Sequence, residues 1–444
     1  MTPGRIAAGC VLAAVARAAE LPSAEYDVAV IGGGSAGICA ALASGRAGAK
    51  TVLAEAAHQV GGNTTTGGVN FPGLFHAWGR QVIDGIGWSL VTNTLALDGG
   101  RLPDFNTPTG KHHYRHQIPV NIPLFVALSE EALAQAGVTI HYHAAPVRIE
   151  KTDSGWRVFL AAVGDTWTIT CRQIVDCTGN GAVAAMLKMK RLQEEERQPG
   201  TFVYRIKTDT DLTKLDAKMV QARFNEAVKQ GMVLRGDCRW SVPHYLQAGG
   251  NTANYVEGAD NSTAEARTRT NLRGRAAMLR MVRFLKSIPG LERVRVESMS
   301  PEVGIRETYR VLGEHRITGE EYIRGQQWDD SVCYAFYPVD LHDAKTGVKP
   351  AHLAEGVVPT VPLRALIPLG SRDLLVAGRC LSSDRQANSA LRVQAACMAT
   401  GQAAGAAAAL AARHGITPGA VPLGALKELL RSQGAVVPGT TAKP

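Results

Sequence analysis

Several signatures that would settle a function at once are missing from this 444-residue chain. No C-x-x-C occurs among its eight cysteines, so neither a zinc framework nor a disulfide scaffold is indicated. Cys177, Cys380 and Cys397 stand in glycine- and alanine-rich stretches and read as small buried residues. No run of about 18 or more apolar residues is present to span a membrane. No G-x-S-x-G and no Walker motif occurs, which argues against hydrolase and kinase chemistry. Repeats, long linkers and basic blocks with interleaved aromatics are also lacking, and the Lys and Arg are dispersed among acids. The formal charge of +9 is a mild excess that favours anionic ligands without specifying nucleic acid. The length suits two or three segments around a large core.

What is present begins at Tyr26. Tyr26–Ile31 reads as a strand, Gly32-Gly33-Gly34-Ser35-Ala36-Gly37 as a glycine turn opening a small-residue helix, and Thr51–Ala54 as a second strand followed by Glu55. Gly32 makes the tight turn, Gly34 admits a pyrophosphate close to the backbone, and Gly37 lets helix and strand pack closely. The helix N-terminus, starting at Ser35 and Ala36, offers free N–H groups and a positive dipole end to phosphates. Glu55 lies 18 residues after Gly37, where a carboxylate accepts hydrogen bonds from a ribose. The expectation is a dinucleotide site; the competing reading is a glycine-rich turn in an ordinary α/β unit. A second turn, Gly179-Asn180-Gly181-Ala182-Val183-Ala184, also follows a strand. The charged stretch Lys190–Arg197 stands where a second unit needs a buried strand ending in an acid. A second nucleotide domain is therefore rejected, and this strand is expected to return to the first sheet with its turn beside the same cofactor.

Residues 61–125, rich in Gly, Thr, Asn and Pro, read as loops that wrap a ligand. Leu124–Ala136 reads as a helix, Val138–His143 as a strand, and Trp156–Cys171 as a hairpin running into the buried strand Gln173–Cys177. After about residue 200 charged amphipathic helices, 216–230 and 262–286, alternate with strands, as in an inserted unit. Near 360 the chain turns apolar again, with a strand ending at Gly378 and an alanine-rich helix, 394–413, whose Gly401 and Gly405 suggest close backbone packing. Arg5, the apolar run Ile6–Val15 and Ala16-Arg17-Ala18 together read as a secretory signal. This gives four expected segments: a signal at 1–25, a nucleotide-binding domain in two parts at 26–200 and 346–444, and a substrate or cap domain at 201–345. A periplasmic or secreted location follows; with an alanine-rich disordered N-terminus or a misplaced start codon it would be cytoplasmic.

Several segments together resemble a large bacterial FAD-dependent oxidoreductase family of the glutathione-reductase-like flavoprotein class. They are the opening βαβ unit, Gly61-Gly62-Asn63-Thr64, Asp176-Cys177-Thr178-Gly179-Asn180-Gly181, Leu375–Arg379 and Leu391–Gly405. Gly304–Thr308 and Tyr337–His342 are similar to central motifs of that family, and the likeness spans about residues 26–410. Cys177 stands where the family usually has alanine, and Asn180 where it often has aspartate. The resemblance implies an α/β fold: a Rossmann-like FAD-binding domain with an inserted α+β substrate domain. It implies non-covalent FAD, met by Gly62, Asn63, Thr64, Thr178 and Gly179 as well as the first turn. Val147 would bond adenine through its backbone, Gly378 and Arg379 would meet the ribityl and pyrophosphate, and Leu391, Arg392 and Val393 would set a helix N-terminus near the flavin C2 carbonyl.

The activity implied is hydride transfer between a small polar substrate (a sugar, polyol or hydroxy acid) and the flavin, with the electron acceptor and oligomeric state open. A flavin-dependent RNA-modifying enzyme and a flavin protein without turnover are the alternatives; no nucleic-acid partner and no membrane span are expected. His342, with Asp340 two residues away, is the candidate base, with a pKa near working pH. Arg306 is the candidate clamp for a carboxylate or sugar oxygen, against ion pairing with Glu302 or Glu307. Tyr309 and Arg310 rank second. His112 and His116 are i, i+4, but Pro108, Gly110 and Pro119 favour a loop, and no metal site is expected.

Overall fold

A computed structural model describes residues 24–110, 112–250, 254–343, 347–348 and 350–439. The expected signal at 1–25 lies outside the described residues except for its last two positions.

Strand β1 (Ala24–Ile31) and strand β2 (Thr51–Ala54) are parallel neighbours, joined by helix α1 (Ser35–Arg46). On the other side β1 pairs in parallel with the long strand Asp165–Asp176, and β2 pairs in parallel with Thr139–His141. The long strand changes neighbours along its length. Its first half pairs antiparallel with Gly155–Ala162 and its end pairs in parallel with Leu374–Val376. The strand that leads to the second glycine turn thus belongs to the first sheet. The short strand Arg191–Leu192 pairs elsewhere, with Arg310–Val311. A sheet buried on both faces needs apolar runs, and Val28–Ile31, Val52–Leu53 and Leu374–Val376 are almost wholly buried.

One face of the sheet is covered by α1 and the helix Gln394–His414. These two helices touch through backbone. A Cβ on Gly401 would lie 2.1 Å from the Ala36 oxygen, and one on Gly405 2.1 Å from the Ala40 oxygen. The helix Gln394–His414 is long and apolar enough to cross a membrane, but 94% of its most apolar window is buried inside the protein. Its composition reflects a core position.

Residues 61–125 contain more order than their composition suggests. Helix α2 (Ile86–Leu97) starts at Gly85 without a side-chain cap and buries Ile86, Leu90, Val91 and Thr94. Helix α3 (Ile122–Gln135) opens on an Asn121 cap with Pro123 in its first turn.

A separate hydrophobic cluster lies between residues 202 and 305, including Phe202, Tyr204, Phe224, Tyr245, Met281 and Phe284. It is built from the helices Ala217–Lys229 and Ala264–Lys286 and the antiparallel pair Tyr204–Lys207 and Arg295–Met299.

Candidate functional site

Five parallel strands end at one edge of the sheet, at Ile31, Ala54, His141, Asp176 and Val376. Ligands bind open α/β sheets outside these carboxyl ends. A cavity of about 700 Å³ opens there. Its wall takes Gly32, Gly34, Ser35 and Ala36 from the first turn, Glu55 after β2, Thr178 and Gly179 after the long strand, and Gly378 and Arg379 after Leu374–Val376. Gly62, Asn63 and Arg392 also face it.

The first turn is shaped as the glycines require. Gly32 has φ +99°, and a Cβ there would press on the Cys177 carbonyl oxygen at 2.6 Å. A Cβ on Gly37 would lie 1.8 Å from the Gly32 oxygen, so Gly37 sits behind the wall and holds the turn together. A Cβ on Gly34 would meet no protein atom within 4 Å. Gly34 is the N-cap of α1 and supplies no side-chain bond, which leaves the first-turn N–H groups for a ligand.

Glu55 faces the cavity but also accepts from the Gly33 N–H at 2.5 Å and the Ala57 N–H at 2.7 Å. It therefore braces the turn besides offering a carboxylate to a ligand. Asn63 holds the inserted segment, donating to the Ile305 oxygen at 2.6 Å and accepting from its N–H at 3.3 Å. Arg379 donates to the Gly179 oxygen at 2.8 Å and the Ile305 oxygen at 2.6 Å, and has no carboxylate partner among the described residues. Buried Asp176, whose pKa burial pushes up, accepts from Thr178 and Ala184 and fixes the turn that carries Gly179.

Four residues expected at the cofactor do not line the cavity. Thr64 is fully buried and links Ser35 to Gln394 at 2.9 and 2.8 Å, behind the wall. Val147 falls at a register shift of the strand Ala145–Thr152 with its side chain turned outward, and Ala144, Ala145 and Pro146 form the wall instead. Leu391 ends a short helix inside the core. Val393 is the N-cap of Gln394–His414, packed where a Cβ on Gly73 would stand 2.3 Å from it; Arg392, Gln394 and Cys397 reach the cavity. The sequence reading missed the inserted unit's own contribution to the wall, Asn261 to Ala264 with Arg267, at the start of the helix Ala264–Lys286. The Thr263 cap was its only legible signal.

Arg392 connects the cavity to a second polar cluster. It donates to the Asp340 backbone oxygen at 3.1 Å and to the Gln198 side chain at 3.3 Å, with its guanidinium 3.4 Å from the Asp340 carboxylate. Asp340 also lies 2.8 Å from His342 Nε2, and His342 Nδ1 lies 2.8 Å from the Tyr255 hydroxyl. Burial raises the Asp340 carboxyl, but the His342 hydrogen bond and the nearby cations outweigh it and hold it below the usual range. Burial, reinforced by Arg306, lowers His342 to about 3 despite the pull of Asp340. The expectation of a pKa near working pH thus fails: the ring is buried beside cations. Ionised Asp340 then accepts from Nε2–H, and Nδ1 accepts from Tyr255.

Arg306 carries neither of the ion pairs weighed from the sequence. Glu302 pairs with Arg267 at 2.5 Å, and Glu307 pairs with Arg385 at 3.1 Å while accepting from Gln198. Arg306 donates to the Pro199 oxygen and stands 5.5 Å from the centre of the Tyr255 ring. Tyr309 lies under Arg191, and Arg310 is buried against Glu194 and the Ser383 oxygen, so neither serves this cluster. His116 ends a short 3-10 helix, His113–His116, and meets the Thr107 oxygen, while His112, the residue before that helix, lies edge-on to Tyr114, so the expected loop is in part a helical turn.

A family described as FAD dependent oxidoreductase matches residues 27–430. Similar solved structures include the OxyS anhydrotetracycline hydroxylase from Streptomyces rimosus, 16% identical over 42% of this chain and 39% of that one, with a TM-score of 0.31. The flavin-dependent monooxygenase PieE, solved with FAD and substrate, is 17% identical over 41% and 36%, with a TM-score of 0.28. A geranylgeranyl bacteriochlorophyll reductase-like protein from Thermoplasma acidophilum is 11% identical over 92% and 83%, with a TM-score of 0.43. The first two matches span well under half of those proteins, and at these scores none bears on the reading of the site.

Proposed function

The chain belongs to the FAD-dependent oxidoreductase family, and from that premise we propose that it oxidises a small polar alcohol, of the sugar, polyol or hydroxy acid kind, to a carbonyl. The cofactor is FAD, and the cavity suits it. The first turn of α1 is uncapped, Arg379 has no counter-charge among the described residues, and Asn180 and Asn261 each leave a buried side-chain oxygen without a partner. Gly32, Gly34, Ser35, Ala36 and Arg379 would hold the pyrophosphate, Glu55 the ribose, and Arg392 and Gln394 the ring end. We read the fold as glutathione-reductase-like, with residues 26–200 and 346–444 as the cofactor domain and 201–345 as the cap.

FAD, when bound, would supply the two-electron acceptor for the substrate hydride. The chain handles the proton. The Tyr255 oxygen accepts from the substrate hydroxyl and passes its own proton to His342 Nδ1. Asp340, on Nε2, stabilises the cation that forms. Gln198, itself held by Glu307, fixes the His342 backbone at 3.1 Å and Arg392 at 3.3 Å.

The observation that carries this reading is the Asp340–His342–Tyr255 relay tied to the cavity wall by Arg392. Anaerobic mixing of the holoenzyme with sugars, polyols and hydroxy acids tests it. At least one class should bleach the flavin, and Tyr255→Phe should slow that bleaching with FAD content unchanged. Bleaching at the same rate in Tyr255→Phe would refute the relay.

A further inference from the structure

We infer that Arg306 and Arg239, both beside the Tyr255 ring, seat the carboxylate of an anionic substrate, so that the alcohol oxidised is a hydroxy acid or sugar acid rather than a neutral polyol. The inference rests on the oxidoreductase reading above and narrows it.

Burial raises the Tyr255 hydroxyl most, Asp340 adds to it, and the guanidiniums of Arg239, Arg306 and Arg392 pull the other way. Asp340 is already committed to His342 and Arg392. Burial, and then Arg392, lowers Arg306 only to about 9, so it stays protonated at neutral pH. Its hydrogen bond to Pro199 uses one of five N–H donors. Arg239 lies 5.0 Å from the Tyr255 ring centre and makes no ion pair among the described residues.

Glu257, two residues from Tyr255, is exposed, and other acids along the neighbouring chain are engaged elsewhere. Asp237 takes Arg280 with both oxygens at 2.7 Å, Asp260 takes Arg197, and Glu302 and Glu307 are paired as described. Uncompensated cations in a protein interior are costly, and a ligand anion removes that cost. Guanidinium forks match a carboxylate with two parallel bonds. The two beside the Tyr255 ring would place the carbinol of a hydroxy acid within reach of the relay. The same anion would offset the Arg306 field that adds to burial in depressing His342, so substrate binding would raise the ring's basicity in part.

The test is a titration of the holoenzyme with oxalate, an unreactive anion, followed by the shift of the flavin absorption bands. Methyl pyruvate serves as the neutral probe and inorganic phosphate as the competing oxyanion. Oxalate should shift the spectrum and methyl pyruvate should not. Arg306→Met and Arg239→Met should each raise the oxalate dissociation constant about 10-fold or more with FAD content retained, and Arg306→Lys should recover part of the loss. In turnover, lactate should bleach the flavin faster than propane-1,2-diol, with Arg306→Met raising KM more than it lowers kcat. Equal response to methyl pyruvate, tighter binding of phosphate than oxalate, or unchanged oxalate affinity in Arg306→Met would each overturn the inference. If the diol bleaches and lactate does not, the inference falls while the oxidoreductase reading stands. If oxalate binds through Arg306 but no alcohol bleaches the flavin, Arg306 is an anion site but alcohol oxidation falls, and the inferred substrate falls with it.

Discussion

Replacing Gly34 with valine separates cofactor binding from folding more cleanly than any other change in the first turn. Gly34 has φ −68° and ψ −174°, an extended conformation that valine adopts without strain. A Cβ there meets no protein atom within 4 Å because it points into the cavity. The folded apoprotein should therefore keep its melting temperature, and the stiffer unfolded chain adds a small stabilising contribution. The ligand pays instead. A branched side chain at the head of α1 would keep the pyrophosphate from the first-turn N–H groups. Charge-assisted hydrogen bonds are worth about 1.5–3 kcal/mol each, so losing two weakens FAD by about 3–6 kcal/mol, on the order of 10²–10⁴-fold. Gly34→Val should be soluble and colourless, melt with the wild-type apoprotein, and show no rise in melting temperature on adding FAD. The control is Gly37→Ala, whose Cβ would lie 1.8 Å from the Gly32 oxygen and should lower stability outright. Soluble Gly34→Val with full FAD content would refute the placement of the pyrophosphate.

Glu55→Gln should weaken FAD in fluorescence titrations and also cost the apoprotein about 1–3 kcal/mol of stability, read as a lower melting temperature, because an amide cannot accept from both Gly33 and Ala57; an unchanged melting temperature would dissociate Glu55 from the turn. His342→Ala and Tyr255→Phe should each retain FAD and slow substrate-driven bleaching about 10²–10⁴-fold in stopped flow; loss of FAD from His342→Ala would mark that histidine as structural. Acid should destabilise the protein partly through His342. Its pKa is about 3 folded against a reference of 6.5, so the unfolded state takes the proton first and stability falls as pH drops from 6.5 towards 3. His342→Gln should flatten that slope between pH 6.5 and the carboxylate range, as read by chemical denaturation at stepped pH; an equal slope would place the acid sensitivity elsewhere.

The glycine turn at the head of the cavity was legible because its residues are adjacent in sequence. Gly32, Gly34 and Gly37 follow from a strand, a turn and a helix adjacent in sequence, and the rejection of a second nucleotide unit followed from charge at 190–197. Gly401 and Gly405 were legible as packing glycines because helix interiors otherwise disfavour them. Long-range placements were not. Whether Val147 or Ala145 meets the cavity depends on a one-residue register shift. The pairing of His342 with Tyr255 spans 87 residues and leaves no periodic mark in either segment. His342 stood out by type, but its depressed pKa follows from burial, reinforced by Arg306, which only the packed chain supplies. Helix α2 was hidden because Gly, Thr and Asn dominate the surrounding window while Ile86, Leu90 and Val91 still keep helical spacing.

The contact between α1 and the helix Gln394–His414 has a consequence for the order in which the protein can be made. The face of α1 that carries the carbonyls of Ala36 and Ala40 emerges from the ribosome early, and the glycines that cover it emerge more than 350 residues later. A nascent chain can form the first strand, turn and helix, but it must hold an uncovered apolar flank until translation is nearly finished. Contacts of such sequence separation form late, and exposed flanks attract chaperones or other chains meanwhile. Cofactor capture is thereby tied to completion: Gly378, Arg379 and Arg392, also from the last fifth of the chain, close the cavity that the first forty described residues begin.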